Sequence, residues 1–358
     1  SNVQIAEGKI NVREDLKNKT VSKYIFNKID KFEDYKKLIR FTKFISYEDL
    51  ITLVMKYDIE YIINPLNKKL NEEELIKMIV DFDAIIAGTE KISEKVLNKA
   101  NKLKHISRVG IGLDSVDLIA AEKKGIKVSY TPDVPAPAIA ELTIGMMLTL
   151  LRSTHVSNSK MHKGEWHRIF GKRLSNVTIG LIGVGRVGIR VIKHLQGFGS
   201  PKILANDLSK SVKELNLPVQ WVEKEKIFKE SDVITLHLPL TKLTKDLVKK
   251  DHLLLMKKDA IIINTSRGGI INENDLYNIM KSGHLSGAAI DVYENEPYDG
   301  PLKEIERCLM TSHMGSMTTD CRTKMEIEAT EEVIRSLTGR SLKREVPQQE
   351  YDVQRESL

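Results

Sequence analysis

The chain has 358 residues, which is more than one ordinary core holds and fits two domains. Its net charge is +7, but lysines are interleaved with acids, as at Lys250 and Asp251, which is typical of a solvated surface and argues against a nucleic-acid site. No apolar run reaches the roughly 18 residues that cross a bilayer, and Cys308 and Cys321 lack metal-ligand spacing. We therefore expect a globular protein of the reducing cytoplasm, without nucleic-acid, membrane or metal partners.

Strand-like and helical segments alternate through the first part of the chain, as in parallel sheets with crossover helices. Helices are expected at 47–57 and at 71–80, with Asn71 as a candidate N-cap. Strands are expected at 37–41, 59–63, 84–87, 106–109 and 126–130. These elements predict a small α/β domain of about 100 residues. Residues 1–35 give no clear signal of helix or strand, and an arm and a docking segment both stay open as interpretations.

A proline-rich stretch at 131–137 (TPDVPAP) separates this series from the rest. Three prolines in seven residues are expected to prevent a helix before residue 138 and to mark a domain crossing. Beyond it the pattern predicts an apolar helix at 138–152, a second alternating series from 177 to 313, a helix at 318–337 and an unassigned tail after Lys343.

The pattern predicts two α/β domains. Residues 138–313 are expected to form a doubly wound parallel sheet of the Rossmann type. Residues 1–137 are expected to form a smaller, flavodoxin-like substrate domain, to which 314–358 return.

A glycine-rich loop follows the apolar run at 177–182. Gly183 permits a tight turn, Gly185 lets the backbone approach a diphosphate, and Gly188 lets helix and strand pack closely. The next strand-like run ends at Asp207, about 20 residues past the last glycine, where an acid can accept the ribose hydroxyls of NAD. The alternative is an ordinary turn with a solvent-facing aspartate. Lys210 is near enough to weaken a preference for NAD over NADP.

Three ionisable positions follow three further strand-like runs, where a doubly wound sheet places its site. Arg267 follows 260–264, a pair of glutamates follows 288–293, and His313 follows 309–312. A guanidinium binds a carboxylate through two bonds, and an imidazole backed by a carboxylate serves as acid and base. Taken singly, Arg267 could be half of a structural ion pair and His313 a core residue. Together, behind a dinucleotide loop, they favour hydride transfer to and from a hydroxy acid.

Seven motifs carry a resemblance over residues 80–335. They are RVGIGLD at 108–114, AELT at 140–143, GVGRVG at 183–188, HLPLT at 237–241, NTSRG at 264–268, DVY at 291–293 with Glu296-Pro297, and TSH at 311–313. With them the chain resembles the D-isomer-specific 2-hydroxyacid dehydrogenase family, especially its phosphoglycerate-dehydrogenase-like branch.

The resemblance implies an NAD-dependent oxidoreductase, generally a homodimer, that interconverts a D-2-hydroxy acid and its 2-keto acid. Arg267 would anchor the substrate carboxylate, Glu296 would orient His313, and His313 would be the acid and base. Asp291 would contact the nicotinamide carboxamide. The implied cofactor contacts are Gly183, Gly185, Arg186, Val187, Gly188, Asp207, His237, Leu238, Pro239, Thr265 and Asp291. The implied substrate contacts are Gly88, Thr89, Val109, Gly110 and Arg267.

The chain departs from the family pattern at two places. Residues 87–90 read AGTE where many relatives carry an arginine, and Glu90 would be a poor neighbour for a phosphate. Ser312 replaces a usual proline. Three alternatives stay open: 3-phosphoglycerate dehydrogenase proper, phosphite oxidation, and a corepressor-like protein that binds NAD(H) as a sensor. Formate dehydrogenase is disfavoured because that branch has glutamine in place of the carboxylate.

Overall fold

The computed structural model describes Gln4–Ala6, Lys9–Asn11, Lys37–Arg40, 54, 56–57, 59–66 and 68–356. These residues divide into two compact units. The first unit comprises the chain up to Thr131 together with Arg322–Tyr351. The second comprises Pro132–Cys321 and the chain from Asp352 onward.

The described part of the first unit contains a five-stranded parallel sheet and a separate two-stranded antiparallel sheet. The small sheet pairs β1 (Gln4–Ala6) with β2 (Lys9–Asn11). The strands of the larger sheet are β3 (Lys37–Arg40), β4 (Glu60–Ile63), β5 (Ala84–Ala87), β6 (His105–Arg108) and β7 (Lys127–Tyr130). Their order is β4-β3-β5-β6-β7, which is the flavodoxin-like order. The central strands β5 and β6 are buried along their whole length, as expected for a parallel sheet covered on both faces.

The helices between these strands are α1 (Glu72–Met78), α2 (Glu94–Leu97) and α3 (Leu118–Lys123). The expected cap of α1 is confirmed: the Asn71 side chain accepts a hydrogen bond from the Glu74 amide at 2.9 Å, and the Glu74 carboxylate accepts one from the Asn71 amide at 3.1 Å. The expected helix at 47–57 falls largely outside the described residues, as do most of residues 1–35.

The second unit begins with a helix where the prolines led us to expect none. Helix α4 (Pro135–Arg152) starts at Pro135 and takes in Pro137. The expectation was wrong because the first turn of a helix has no intrahelical partners for its amides, so a proline there forfeits no hydrogen bond. Helix α5 (Thr154–His162) follows.

A seven-stranded parallel sheet forms the centre of the second unit. Its strands are β8 (Thr178–Ile182), β9 (Lys202–Asn206), β10 (Gln220–Trp221), β11 (Val233–Leu236), β12 (Ile261–Asn264), β13 (Gly287–Ile290) and β14 (Cys308–Met310). The helices between them are α6 (Arg186–Gln196), α7 (Lys210–Lys213), α8 (Lys224–Glu230), α9 (Lys250–Leu255) and α10 (Glu273–Ser282). The order β10-β9-β8-β11-β12-β13-β14 reverses direction between β8 and β11. This is the doubly wound fold, and its crevice for ligands lies at that reversal.

After β14 the chain returns to the first unit through α11 (Thr319–Leu337). The tail after Lys343, which the sequence left unassigned, docks on this unit. The Tyr130 amide donates to the Arg344 carbonyl (3.1 Å) and the Val346 amide to that of Val128 (2.9 Å), so the tail extends the sheet beside β7. Helix α12 (Gln348–Glu356) then places Tyr351 in the core of the first unit.

Glu332 of α11 fastens this tail. Its carboxylate is fully buried and accepts hydrogen bonds from the amides of Lys343 (2.9 Å) and Arg344 (3.1 Å). The Arg335 Nε lies 3.7 Å from the other carboxylate oxygen. A buried carboxylate with these partners is costly to remove, because two amides and a nearby guanidinium lose a charged partner.

We expect Glu332→Ala to lower the free energy of unfolding of this unit by about 3 kcal/mol, because two backbone amides lose a charged acceptor and the Arg335 guanidinium loses a buried counter-charge. Urea unfolding followed by circular dichroism measures the change. Glu331→Ala, an exposed neighbour on the same helix, is the matched control and should change stability by less than about 0.5 kcal/mol. Equal effects of the two variants would contradict the anchoring role.

Candidate active site

The glycine loop between β8 and α6 has the geometry of a diphosphate cradle. Gly183 has φ +92°, and a Cβ there would clash with the His237 carbonyl oxygen, so the turn requires glycine. A Cβ on Gly188 would clash with the carbonyl of Gly183, which shows how closely helix and strand pack. A Cβ on Gly185, the N-cap of α6, would have no atom within 4 Å. The loop residues therefore fit a bound diphosphate, with the α6 amides at its start.

Asp207, directly after β9, is held beside this loop. Its Oδ2 accepts a hydrogen bond from the Val184 amide at 2.7 Å, and its Oδ1 accepts one from the Ser209 amide at 2.8 Å. The contact with Val184 joins the end of β9 to the glycine loop. The predicted contact between Asp207 and a ribose stays a prediction. Arg186, at the first turn of α6, forms an exposed ion pair with Asp133 (2.8 Å).

The segment after β11 lies against the other side of the glycine loop. The His237 amide donates to the Ile182 carbonyl at 2.8 Å, and the Leu238 side chain approaches Gly183. The imidazole Nε2 of His237 lies 3.0 Å from the Thr235 hydroxyl, and burial lowers the pKa of His237 to about 3, so the ring is neutral. Pro239 follows on the exposed side.

Arg267 sits on a loop whose shape is set by a buried side chain of the preceding strand. The Asn264 amide group donates to the Arg267 carbonyl (2.8 Å), and its oxygen accepts from the Ser266 amide (3.1 Å) and hydroxyl (2.8 Å). The Arg267 guanidinium donates to the Ser266 carbonyl at 2.6 Å and is half-buried. Thr265 is buried, and its hydroxyl lies 2.9 Å from that of Thr143 on α4.

His313 and Glu296 are in direct contact. The imidazole Nδ1 lies 3.0 Å from Oε1 and 2.9 Å from Oε2 of Glu296. The Tyr293 amide donates to Oε1 of the same carboxylate at 3.2 Å. Within the second unit, the side chains of His313 and Glu296 are 39% and 30% exposed, so solvent or a small ligand can reach the pair. His313 also has φ +53°, a conformation uncommon for residues other than glycine and often found at functional sites.

Asp291 holds the loop that carries His313. The carboxylate is fully buried. It accepts hydrogen bonds from the Thr311 hydroxyl (2.6 Å), the Met314 amide (2.7 Å) and the Gly315 amide (2.9 Å). The His313 amide donates to the Asp291 carbonyl at 2.8 Å. The structure therefore gives Asp291 a definite positioning role, while its contact with a nicotinamide stays a prediction.

The four predicted substrate contacts of the first unit lie after two adjacent strands, β5 and β6. The Val109 amide donates to the Ala87 carbonyl (2.9 Å), and the Gly110 amide donates to the Thr131 hydroxyl (2.7 Å). Glu90, which follows Thr89, is buried rather than facing outward, and it accepts a hydrogen bond from the Gly88 amide at 2.8 Å.

Arg108 lies beside these two loops and is also buried. Its guanidinium donates to the Val109 carbonyl. Burial raises the pKa of Glu90, and the positive charge of Arg108 opposes that rise. The two buried charges therefore act on each other at the base of the loops.

Comparison with known proteins agrees with this geometry. The family model described as D-isomer specific 2-hydroxyacid dehydrogenase, NAD binding domain, matches residues 144–315. A hydroxypyruvate reductase of Thermotoga maritima is 38% identical over 281 residues, which are 76% of this chain and 90% of that protein. A D-3-phosphoglycerate dehydrogenase of Methanocaldococcus jannaschii is 38% identical over 278 residues, 75% of this chain but 52% of that protein. The crystal structure of the TT0316 protein of Thermus thermophilus superposes with a TM-score of 0.81, at 29% identity, over 87% of this chain and all of that one.

The chain belongs to the D-isomer specific 2-hydroxyacid dehydrogenase family. It is an NAD-dependent oxidoreductase that interconverts a D-2-hydroxy acid and its 2-keto acid. The family, the fold class and the cofactor that the sequence predicts are all confirmed.

The dehydrogenase uses supporting residues that the sequence analysis did not single out. Thr143 was named only as part of the AELT motif. Its hydroxyl, on α4, lies 2.9 Å from that of Thr265, which follows β12. Asn264 ended a strand, and its side chain proves to brace the Arg267 loop. A buried polar residue at the end of a hydrophobic strand is the signal that could have found Asn264.

In the described part of the dehydrogenase, no helix combines the length and the apolarity that a membrane span requires. The His, Cys, Asp and Glu side chains of that part form no group of three or more that could hold a metal ion.

We expect Asp291→Ala to lower the free energy of unfolding of the dehydrogenase by about 3 kcal/mol, because three donors lose a buried acceptor. Asp291→Asn should cost less, since an amide keeps one acceptor oxygen. Urea unfolding measures both. Asp299→Ala, which removes an exposed ion pair with Lys303, is the control and should leave the free energy of unfolding nearly unchanged. A loss for Asp291→Ala no greater than for the control would refute the proposed bracing of the His313 loop.

Proposed function

We propose that Arg267, Glu296 and His313 carry the reaction, and that the enzyme reduces a small, unphosphorylated 2-keto acid. The contact between His313 Nδ1 and the Glu296 carboxylate, 2.9 Å long, is the observation on which the proposal rests. We assign cofactor binding to the second unit and substrate recognition to the first. These assignments correspond to the expected domains 138–313 and 1–137 with 314–358.

His313 serves as the acid and the base. Glu296 accepts the hydrogen bond of Nδ1, so Nε2 is the atom left to exchange a proton with the substrate oxygen. In the direction of reduction the protonated ring donates to the keto oxygen, and in the direction of oxidation the neutral ring takes the hydroxyl proton. The accessible face of the pair supports this role.

Arg267 binds the substrate carboxylate. A guanidinium offers two parallel donors in the geometry that a carboxylate accepts, and the Asn264 brace fixes the loop from which it extends. Arg267 and His313 follow β12 and β14, which flank β13 in one sheet. This placement supports a site at the carboxyl edge of that sheet.

The second unit would hold the nicotinamide cofactor, whose C4 supplies hydride to the keto carbon in the direction of reduction and accepts it in the direction of oxidation. We assign the diphosphate to Gly183, Gly185, Arg186, Val187 and Gly188, and the adenosine ribose to Asp207. His237, Leu238 and Pro239 would line the adenosine side, with Thr265 and Asp291 near the nicotinamide end. The open space beside Gly185 and the amides at the start of α6 support this placement.

The loops of the first unit favour a small, unphosphorylated acid. We assign substrate contacts to the backbone amides of Gly88, Thr89, Val109 and Gly110. Buried Glu90 offsets the charge of buried Arg108, so the loops present no net positive charge from this pair to a phosphate. The reductase of hydroxypyruvate, matched over 90% of its length, also supports a small keto acid over 3-phosphoglycerate.

A panel of 2-keto acids with NADH tests the function. We expect turnover with small acids such as glyoxylate or hydroxypyruvate and little with 3-phosphohydroxypyruvate. Arg267→Ala should reduce kcat/KM by about 100-fold or more, while the Kd for NADH changes less than about threefold. His313→Gln should reduce kcat by about 100-fold or more in both directions.

His194→Gln, at an exposed position on α6, is the matched control and should retain wild-type turnover. Tight NADH binding without turnover of any acid would support the sensor alternative instead. NAD reduction with phosphite, but with no hydroxy acid, would support the phosphite alternative. Near-normal turnover in His313→Gln would remove that residue from the mechanism.

We propose that the enzyme is a homodimer that buries the apolar surface of α5 and the segment 163–170. Helix α5 has no buried residue within its own unit. Trp166 and Phe170 expose 81% and 103% of their surface, and Met161 exposes 51%. Exposed aromatic side chains that follow one another in a short segment are typical of protein interfaces.

Replacing both Trp166 and Phe170 by serine should shift the protein from dimer to monomer, because the contact loses its two aromatic anchors. Light scattering coupled to size-exclusion chromatography reports the mass. Leu254→Ser, which alters an exposed leucine on α9, is the control and should leave the mass unchanged. A monomeric wild type would contradict the proposal, as would a double variant that stays dimeric.

We also place the enzyme in the cytoplasm. Neither Cys308 nor Cys321 forms a disulfide, both are buried, and burial raises the pKa of Cys308 to about 12. Cysteines that stay as thiols are typical of a reducing compartment. Fractionation of the host cell tests this placement, and enrichment in an extracytoplasmic fraction would contradict it.

A further inference from the structure

Two successive amides of the loop after β13 are held by two different glutamates. The Tyr293 amide donates to Glu296 Oε1 at 3.2 Å, a contact within the loop itself. The next amide, that of Glu294, donates to Glu273 Oε1 at 2.7 Å. Glu273 is the first residue of α10, so this second contact ties the loop to a separate element.

The peptide between Tyr293 and Glu294 is enclosed on another side by Gly268. A Cβ on Gly268 would overlap the Tyr293 carbonyl group and the Glu294 nitrogen, so only glycine fits there. Gly268 directly follows Arg267. One peptide unit is therefore in contact with the Arg267 loop, is hydrogen-bonded by Glu273, and adjoins the amide that holds Glu296.

We propose that Glu273 is a positioning residue of the active site, which holds the Tyr293–Glu294 peptide against Gly268 and thereby sets Glu296, and through it His313, for proton transfer. The inference rests on the proposed roles of Glu296 and His313. A chain of three contacts runs from Glu273 to the imidazole: Glu273 to the Glu294 amide, the adjoining Tyr293 amide to Glu296, and Glu296 to Nδ1.

The surroundings of Glu273 disfavour the ionised form of its carboxylate. Burial raises its pKa above the usual value, the bond from the Glu294 amide opposes the rise, and the charges of Glu294 and Glu296 add to it. In the same segment, burial and the charge of Glu273 raise the pKa of Tyr298. Because the pKa is raised, Glu273 favours folding below its ordinary pKa and loses that contribution as pH rises through the folded-state value. At neutral pH Glu273 lies near other carboxylates although this lowers the stability of the fold. Such a placement is typical of a residue that is retained for function.

Comparing Glu273→Gln with Glu273→Ala distinguishes a positioning role of Glu273 from an effect on the overall stability of the protein. Glutamine keeps an acceptor oxygen for the Glu294 amide but has no charge, whereas alanine removes the acceptor. We expect Glu273→Ala to lower kcat by about tenfold, equivalent to 1.4 kcal/mol. KM should change little, and the Kd for NADH should stay within about twofold. Glu273→Gln should restore most of kcat, and at pH 7 it should unfold at a urea concentration no lower than wild type.

Asn272→Ala is the matched control. Asn272 caps α10 by accepting from the Asp275 amide at 3.0 Å, next to Glu273 but without the bond to Glu294. Its loss should cost stability of about 1 kcal/mol while kcat stays at the wild-type value. If Glu273→Ala lowered kcat no more than Asn272→Ala, the effect would be one of helix stability and the positioning role would be overturned. A Glu273→Gln variant with a kcat as low as that of Glu273→Ala would also overturn the positioning role.

A readout that needs no turnover distinguishes this inference from the proposed function. In proton NMR the Nδ1–H of His313, bonded to Glu296, should give a downfield resonance that His313→Gln removes. We expect Glu273→Ala to shift or broaden that resonance, and Glu273→Gln and Asn272→Ala to preserve it. A wild type without turnover but with this spectroscopic pattern would refute the proposed function and leave the positioning role standing. An unchanged resonance in Glu273→Ala would refute the positioning role alone.

Glu273→Lys replaces the alanine variant if that variant fails to fold. Lysine reverses the charge and also lacks an acceptor, so this variant must show the same loss of kcat and of the resonance.

Discussion

The Asp291 carboxylate accepts hydrogen bonds from the Thr311 hydroxyl and from the amides of Met314 and Gly315, and the geometry around His313 depends on it. The charge is fully buried, where an ionised group is retained only with good partners. Each of the three donors belongs to the segment that carries His313. The carboxylate therefore converts an irregular loop into a rigid support for the imidazole.

The same device recurs at other loop ends of the chain. Asp207 accepts the Val184 amide, Glu90 accepts the Gly88 amide, and Glu273 accepts the Glu294 amide. In each case a carboxylate binds a backbone amide that no strand or helix partner takes up. A charged acceptor makes a shorter and stronger bond than a neutral one, so it fixes the conformation of a loop that has no strand or helix partner.

The parallel sheet of the second unit explains why residues far apart in sequence meet. Arg267, Glu296 and His313 follow β12, β13 and β14, which are neighbours with in-register pairing. Parallel strands bring their carboxyl ends to one edge, and the order reverses between β8 and β11 on the same sheet. The glycine loop and the three ionisable residues thus share an edge because of topology rather than sequence proximity.

Much of this could be predicted from the residues. Buried-strand runs, a correctly spaced glycine loop and ionisable residues after strands are local signals, and they indicated the two sheets, the cofactor loop and a carboxylate near His313. The choice of Glu296 as that carboxylate came from the family resemblance. The proline-rich stretch was misjudged because the cost of a proline depends on its position within a helix, which composition does not reveal.

The sequence by itself determined the order of elements, the family and the residue types of the site, because these follow from periodicity and motif spacing along the chain. Only the tertiary structure decided that Glu90 is buried and that the tail extends the first sheet. It alone showed that Asn264, Asp291 and Glu273 brace the loops of Arg267, His313 and Glu296. The reason is physical: a hydrogen bond from a carboxylate or amide side chain to a distant backbone group leaves no periodic trace in sequence, and exists only once folding has brought the two segments together.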